Sequence, residues 1–173
     1  IMLLHHCAGV EMLGNYNVNM PYPEVSGGVS ERTLMDLYDL YAGRTSEMTA
    51  VTTYVYQRVL TEKDYAEIAE LLGGIGMVEM KHIELLAAAI NAFGGDPVFA
   101  GRYNWFSGSY TDYEKDLRQM LVRDIEAEKA AANAYIKVAE NTDNQSLSEL
   151  LTRISMDEEL HVTLLTAALE RLE

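Results

Sequence analysis

Residues 71–86 read LLGGIGMVEMKHIELL and residues 150–165 read LLTRISMDEELHVTLL. Each stretch carries Leu, Ile, Glu, His and Leu at steps of three, four, three and four: Leu72, Ile75, Glu79, His82, Leu86, then Leu151, Ile154, Glu158, His161, Leu165. That spacing is one face of an α-helix. The face is apolar except for a Glu and a His one turn apart, where a core should be greasy. A buried carboxylate beside a buried imidazole is costly unless something pairs with both. Meeting that pair twice points to one symmetric site with a pair of metal ions as its occupant.

The preceding segments repeat each other too. Glu47 is followed by Tyr54 and Glu128 by Tyr135, each seven residues on. Seven residues are two turns, so each Tyr lies nearly in line with its Glu, about 10 Å along the axis. Ala50 and Ala131 hold the positions between them. The chain therefore reads as two copies of one helical hairpin, Glu-x6-Tyr followed by Glu-x2-His.

Helical periodicity runs from Ser30 to about Leu60, and from about residue 64 to 92, where Gly94-Gly95 stops it. A long segment containing Pro97 and Trp105 follows. Thr111 with Glu114 reads as a capping box opening a third helix to about Glu140, and Ser146 with Glu149 as a second box opening a fourth. The fold class expected is all-α: a four-helix bundle over residues 30–173, built from two antiparallel hairpins joined by a long crossover. Residues 1–29 read as irregular, with Pro21, Pro23 and Gly27-Gly28 interrupting any period. Trp105 and the crossover tyrosines are expected to cover the flank of the bundle.

At 173 residues with 49% hydrophobic content, one domain with a substantial core is expected. The net charge of −14 argues against a nucleic-acid partner. No apolar run is long enough for a membrane span. One cysteine, Cys7, leaves no room for an internal disulfide or a four-cysteine iron site. A cytoplasmic homodimer is the default expectation.

Four carboxylates and two imidazoles suit two first-row divalent ions: four Glu contribute −4 and the ions +4, so the filled site is near neutral. Oxygen-rich ligation with one nitrogen per ion favours iron or manganese over structural zinc. A Glu on each of two helices plus Glu-x-x-His on each of two others resembles the ferritin-like di-metal carboxylate superfamily, in its rubrerythrin-like and manganese-catalase-like branches. The resemblance implies Glu47, Glu79, His82, Glu128, Glu158 and His161 as metal ligands, with Glu79 and Glu158 bridging. It also matches Tyr54 to a tyrosine that many ferritins keep beside the site, so Tyr54 and its repeat Tyr135 are the candidate catalytic groups; the plainer reading makes them core aromatics whose hydroxyls bond a ligand carboxylate. The activity implied is peroxidase or catalase chemistry on hydrogen peroxide, then ferroxidase chemistry with oxygen, served by an unidentified electron donor. The contrasting reading is a non-catalytic assembly protein that keeps its metals as a structural clip.

Several neighbours compete with this ligand set. Glu126 and Glu159 fall off the inner stripes and read as surface residues, while Asp157 and Glu84 are further rivals. Exposed or packed histidines are the simpler reading of His5-His6 beside Cys7. Gly73, Gly74 and Gly76 each cost up to ~1 kcal/mol inside a helix. Either they pack against a neighbour or they mark a local bulge that re-aims Glu79.

Overall fold

The computed structural model describes residues 16–172; His5, His6 and Cys7 lie outside them. The described residues form helices α1 (Glu31–Ala42), α2 (Glu47–Thr61), α3 (Ala66–Ala92), α4 (Leu117–Asn141) and α5 (Gln145–Glu170). A 3-10 turn at Gly108–Tyr110 and a lone bridge between Ala100 and Trp105 are the regular features of the crossover. The fold is the ferritin-like helical bundle, in which α2 and α3 form one hairpin and α4 and α5 the other. None of these helices is long and apolar enough to cross a membrane.

The first bundle member differs from the single helix expected over 30–60. It breaks at 43–46 into α1 and α2, each with its own serine cap: Ser30 accepts from Thr33 N at 3.1 Å and Ser46 from Thr49 N at 3.3 Å. The break makes Glu47 the first residue of α2. The helix macrodipole favours a carboxylate there.

Neither expected capping box forms. Asp116 caps α4, accepting from Gln119 N at 2.9 Å. Thr111 is instead buried against Thr52, their hydroxyls 2.8 Å apart. Asn144 caps α5, accepting from Leu147 N at 2.9 Å. Ser146 Oγ is drawn away to accept from Ser26 N at 3.0 Å.

The crossover runs back along α1 and α2. Tyr38 and Tyr41 donate to the carbonyls of Asp96 and Pro97 at its start, and Asp112 N donates to Thr53 Oγ1 near its end. Trp105, expected on the flank, is 71% exposed, and Tyr103 is 85% exposed. These two rings contribute little burial; the aromatic contacts of the crossover come instead from Phe99 stacked on Tyr41 at 5.3 Å, Tyr113 edge-on to Tyr56 at 4.9 Å and Phe106 against the core, beside the polar ties.

Two apolar cores fill the bundle. One gathers Leu37, Tyr41, Leu86, Ile90, Leu147, Leu151 and Ile154. The other gathers Leu72, Ile75, Met120, Leu121, Ile125 and Leu165. Along α3 the Glu79–His82 pair lies between Ile75 and Leu86, and along α5 Glu158–His161 lies between Ile154 and Leu165. A charged layer thus separates two hydrophobic ones, and burying it requires internal compensation.

Candidate metal centre

All six residues read from the repeats are buried, none more than 4% exposed. Their donor atoms form two clusters, Glu47, Glu79, His82, Glu158 and Glu79, Glu128, Glu158, His161, each with ligand atoms within 4.8 Å of one another. Glu79 and Glu158 belong to both. Glu126, Glu159 and Glu84 are exposed, and Lys81 pairs with Glu84 at the surface.

Each imidazole faces inward with Nδ1. His82 Nδ1 lies 3.0 Å from Glu79, 3.1 Å from Glu158 and 3.6 Å from Glu47. His161 Nδ1 lies 3.0 Å from Glu79, 3.3 Å from Glu158 and 3.5 Å from Glu128. The outward Nε2 atoms are held by different partners. His82 Nε2 donates to Asp157 Oδ2 at 3.1 Å, whereas His161 Nε2 donates to the Tyr16 carbonyl at 2.9 Å. Both acceptors fix the outer proton on Nε2 and leave Nδ1 for the centre.

Asp157 is a buried acid that the repeat pattern did not select. It is ion-paired to Arg153 at 2.8 Å and accepts from Val18 N at 2.7 Å and Tyr22 Oη at 2.8 Å. Burial alone would raise its pKa, but His82, Val18, Arg153 and Tyr22 together lower it, so it is a carboxylate. Its only signal in the sequence was its place beside Glu158.

The tyrosines pair across the bundle rather than along their own helices. Tyr54 of α2 donates to Glu128 of α4, and Tyr135 of α4 donates to Glu47 of α2. Burial, reinforced by the adjacent carboxylate, raises both phenols well above the ordinary tyrosine range. They are proton donors at these oxygens.

Burial drives Glu47 and Glu128 well above the usual carboxylate range, and the charges on Glu79 and Glu158 add to it. Burial also works against ionised Glu79 and Glu158, but the imidazoles outweigh it and both lie below their ordinary value. For His82 and His161 burial opposes protonation, yet the surrounding carboxylates hold them well above the ordinary imidazole value. Position thus favours protons on the two imidazoles and on Glu47 and Glu128, and disfavours them on Glu79 and Glu158.

The donor set fits a metal pair. Glu79 Oε1, Glu158 Oε1 and His161 Nδ1 are buried without a hydrogen-bond partner, although Glu79 Oε1 and His161 Nδ1 approach to 3.0 Å. Atoms that converge without hydrogen-bond alignment need a shared cation, because an unsatisfied buried polar atom is expensive. Oxygen-rich sites with one imidazole per ion suit iron and manganese.

A cavity of about 280 Å³ reaches this layer between α2 and α4. It exists because the facing residues are small: Thr49, Ala50 and Thr53 from one helix, Ala127, Ala131 and Ala134 from the other. Glu47, Glu79, Glu128, Glu158 and both tyrosines form its floor. Asp124 also lines it, 3% exposed, accepting from Gln57 Nε2 at 2.8 Å through one oxygen while Oδ2 has no partner.

The rubrerythrin family profile matches residues 40–169, which span α2 to α5 and every residue of the two clusters. The chain belongs to the rubrerythrin family. A bacterioferritin from Desulfovibrio desulfuricans is 27% identical over 142 residues, covering 80% of this chain and 76% of that protein. A manganese catalase from Anabaena has the same fold, with a TM-score of 0.80 at 22% identity over 90% of this chain and 80% of that one. The structure of the Desulfovibrio bacterioferritin, solved for its diiron site, superposes with a TM-score of 0.65 at 22% identity, covering 82% of this chain and 80% of that one.

Proposed function

We propose that this rubrerythrin-family protein is a di-iron or di-manganese oxidoreductase that reacts with hydrogen peroxide, as a peroxidase or catalase. The observation that carries the reading is the pair of buried clusters sharing Glu79 and Glu158 at the floor of a cavity. A purely structural clip would have no use for that cavity. Likeness to a manganese catalase and to bacterioferritins supports the same class of chemistry.

In this reading Glu47 and His82 would hold one ion, Glu128 and His161 the other, with Glu79 and Glu158 shared. Such a pair supplies two-electron redox cycling and Lewis acidity toward an oxygen substrate. The chain supplies the rest. Tyr54 and Tyr135 hold the terminal carboxylates Glu128 and Glu47 in one orientation. The two apolar cores flank the charged layer and leave the cavity as its approach, and low-dielectric walls strengthen the electrostatic contacts beside them. Both phenols line the cavity with their single protons engaged by Glu128 and Glu47, so each offers its hydroxyl oxygen as an acceptor to a peroxide O–H.

The test is metal analysis of protein purified from its native host, then mixing with hydrogen peroxide. Two ions per chain with oxygen release marks a catalase. Peroxide consumed only alongside a reductant marks a peroxidase. Ferrous ion oxidised by oxygen, with peroxide untouched, would replace the reading by a ferroxidase. A loaded centre inert in all three assays would overturn the enzymatic reading. Glu79→Ala with Glu158→Ala should abolish stoichiometric loading, and unchanged metal content would remove the ligand assignment.

A further inference from the structure

The segment from Tyr16 to Tyr22, expected only to be irregular, lies behind both imidazoles. Tyr22 packs edge-on to His82, with ring centroids 6.2 Å apart and an interplanar angle of 81°, and its hydroxyl holds Asp157. Val18 ties in through Asp157, and its carbonyl and that of Met20 accept from buried Arg153 at 2.5 and 3.1 Å. Tyr16 supplies the carbonyl that holds His161.

The position of that carbonyl depends on a glycine of another helix. A Cβ built on Gly74 of α3 would lie 2.2 Å from Cε2 and 2.3 Å from Cδ2 of the Tyr16 ring. No methyl group fits there, so the ring occupies the place that a side chain at residue 74 would take. The ring thus rests on α3 while the carbonyl of the same residue meets His161 on α5. The neighbouring helical glycines face other groups, Gly73 the Arg58 side chain and Gly76 the Cβ of Tyr54.

We propose that Gly74 and Tyr16 form a positioning pair for the metal centre: the ring seated on Gly74 holds the Tyr16 carbonyl against His161 and keeps its Nδ1 directed at a cation. The proposal rests on the di-metal reading and adds to it an asymmetry. His82 is oriented by the Asp157 carboxylate and His161 by a neutral carbonyl, so the two metal positions differ in what stands behind their imidazoles. A carboxylate makes its imidazole the stronger donor. The ion beside His161 is therefore the weaker and the one that depends on the Tyr16 seat. A glycine at position 74 leaves the space that seat occupies, at some cost in helix propensity.

The experiment is an optical and calorimetric titration of the full-length apo-protein with Co²⁺, comparing the parent with Gly74→Ala, Tyr16→Ala, Tyr16→Phe and the Gly74→Ala/Tyr16→Ala double variant. The parent should take up two ions. Gly74→Ala and Tyr16→Ala should each keep one tight step and weaken the other by about 10- to 100-fold, the usual cost of losing the group behind a metal-ligating histidine. Tyr16→Phe keeps the ring and should match the parent. The double variant should be no worse than either single one, because both act through one contact. If Gly74→Ala does not fold, Tyr16→Ala still decides the matter, since it introduces no clash. Two unchanged steps in Tyr16→Ala, equal weakening of both steps, or a Tyr16→Phe defect as large as that of Tyr16→Ala would each overturn the pair. A parent that binds no Co²⁺ would overturn the di-metal reading and this proposal with it, whereas a parent with two steps that the variants leave intact would overturn the pair alone.

Discussion

Tyr54 donates its phenolic proton to Glu128, a carboxyl group from the other half of the chain, and Tyr135 returns the same bond to Glu47. The two hairpins are thereby tied through the charged layer itself. Tyr54 meets the layer as a hydrogen-bond donor to Glu128, so Tyr54→Phe should leave loading at two ions. It removes the donor that orients a buried carboxylate, and stability of the apo-protein should fall by about 1–3 kcal/mol. Urea unfolding with parallel metal analysis checks both halves. Loss of an ion in Tyr54→Phe would make the phenol part of the ligand set and contradict its role as a hydrogen-bond donor.

The protonation pattern of the layer predicts metal–proton exchange. Imidazolium at His82 and His161 and carboxylic acid at Glu47 and Glu128 are favoured by position, and a ligand must lose its proton to bind. Loading two divalent ions should release protons from all four groups, and apparent affinity should rise with pH across the neutral range. Calorimetric titrations in buffers of different ionisation enthalpy measure the number released. A count near zero would show that the layer is already deprotonated, contrary to the protonation that burial and neighbouring charge favour at these four groups.

The repeated stripes were legible because a charged pair on an apolar face at helical spacing has few other uses, and the six side chains do share one buried layer. What escaped the sequence was each choice between local competitors. Thr111, Asp112 and Asp116 all offer a cap before α4, and Asp116 serves because Thr111 is occupied by Thr52. Gly43 and Ser46 marked the end of α1, but Leu37, Tyr41 and Met48 carried a helical period straight across them. The tyrosine hydroxyls do bond candidate ligand carboxyl groups, but which one each meets, the Glu of the facing helix, depends on the packing of α2 against α4. Asp157 could not be assigned because its burial depends on Val18 and Tyr22, from a segment with no period to read.

The glycines of α3 give a prediction of opposite sign to the one made for Gly74. A Cβ on Gly73 would meet the Arg58 side chain, Cδ and Nη1 at 3.0 Å, and that side chain is exposed and flexible. The guanidinium can swing into solvent, so Gly73→Ala should stabilise the protein, by up to ~1 kcal/mol from helix propensity. Thermal unfolding of the two alanine variants compares them directly. Equal destabilisation by both would show that Arg58 is held as firmly as the Tyr16 ring.

Asp124 gives the clearest pH dependence. Burial, with help from the charge on Asp112 and against the hydrogen bond from Gln57, pushes its pKa up to about 7. In the unfolded chain it ionises at about 4. Its contribution to stability is therefore fully present below the unfolded value and disappears as pH rises through the folded one. Asp124→Asn keeps the acceptor for Gln57, offers an amide proton to the unpartnered Gln57 Oε1, and removes the ionisation. The advantage of the variant over the parent should grow by roughly 2 to 3 kcal/mol between pH 5 and pH 8. Denaturant unfolding of the apo forms at the two pH values measures it. A difference that stays constant would mean that Asp124 ionises freely in the cavity, and its buried oxygen would then require a cation of its own.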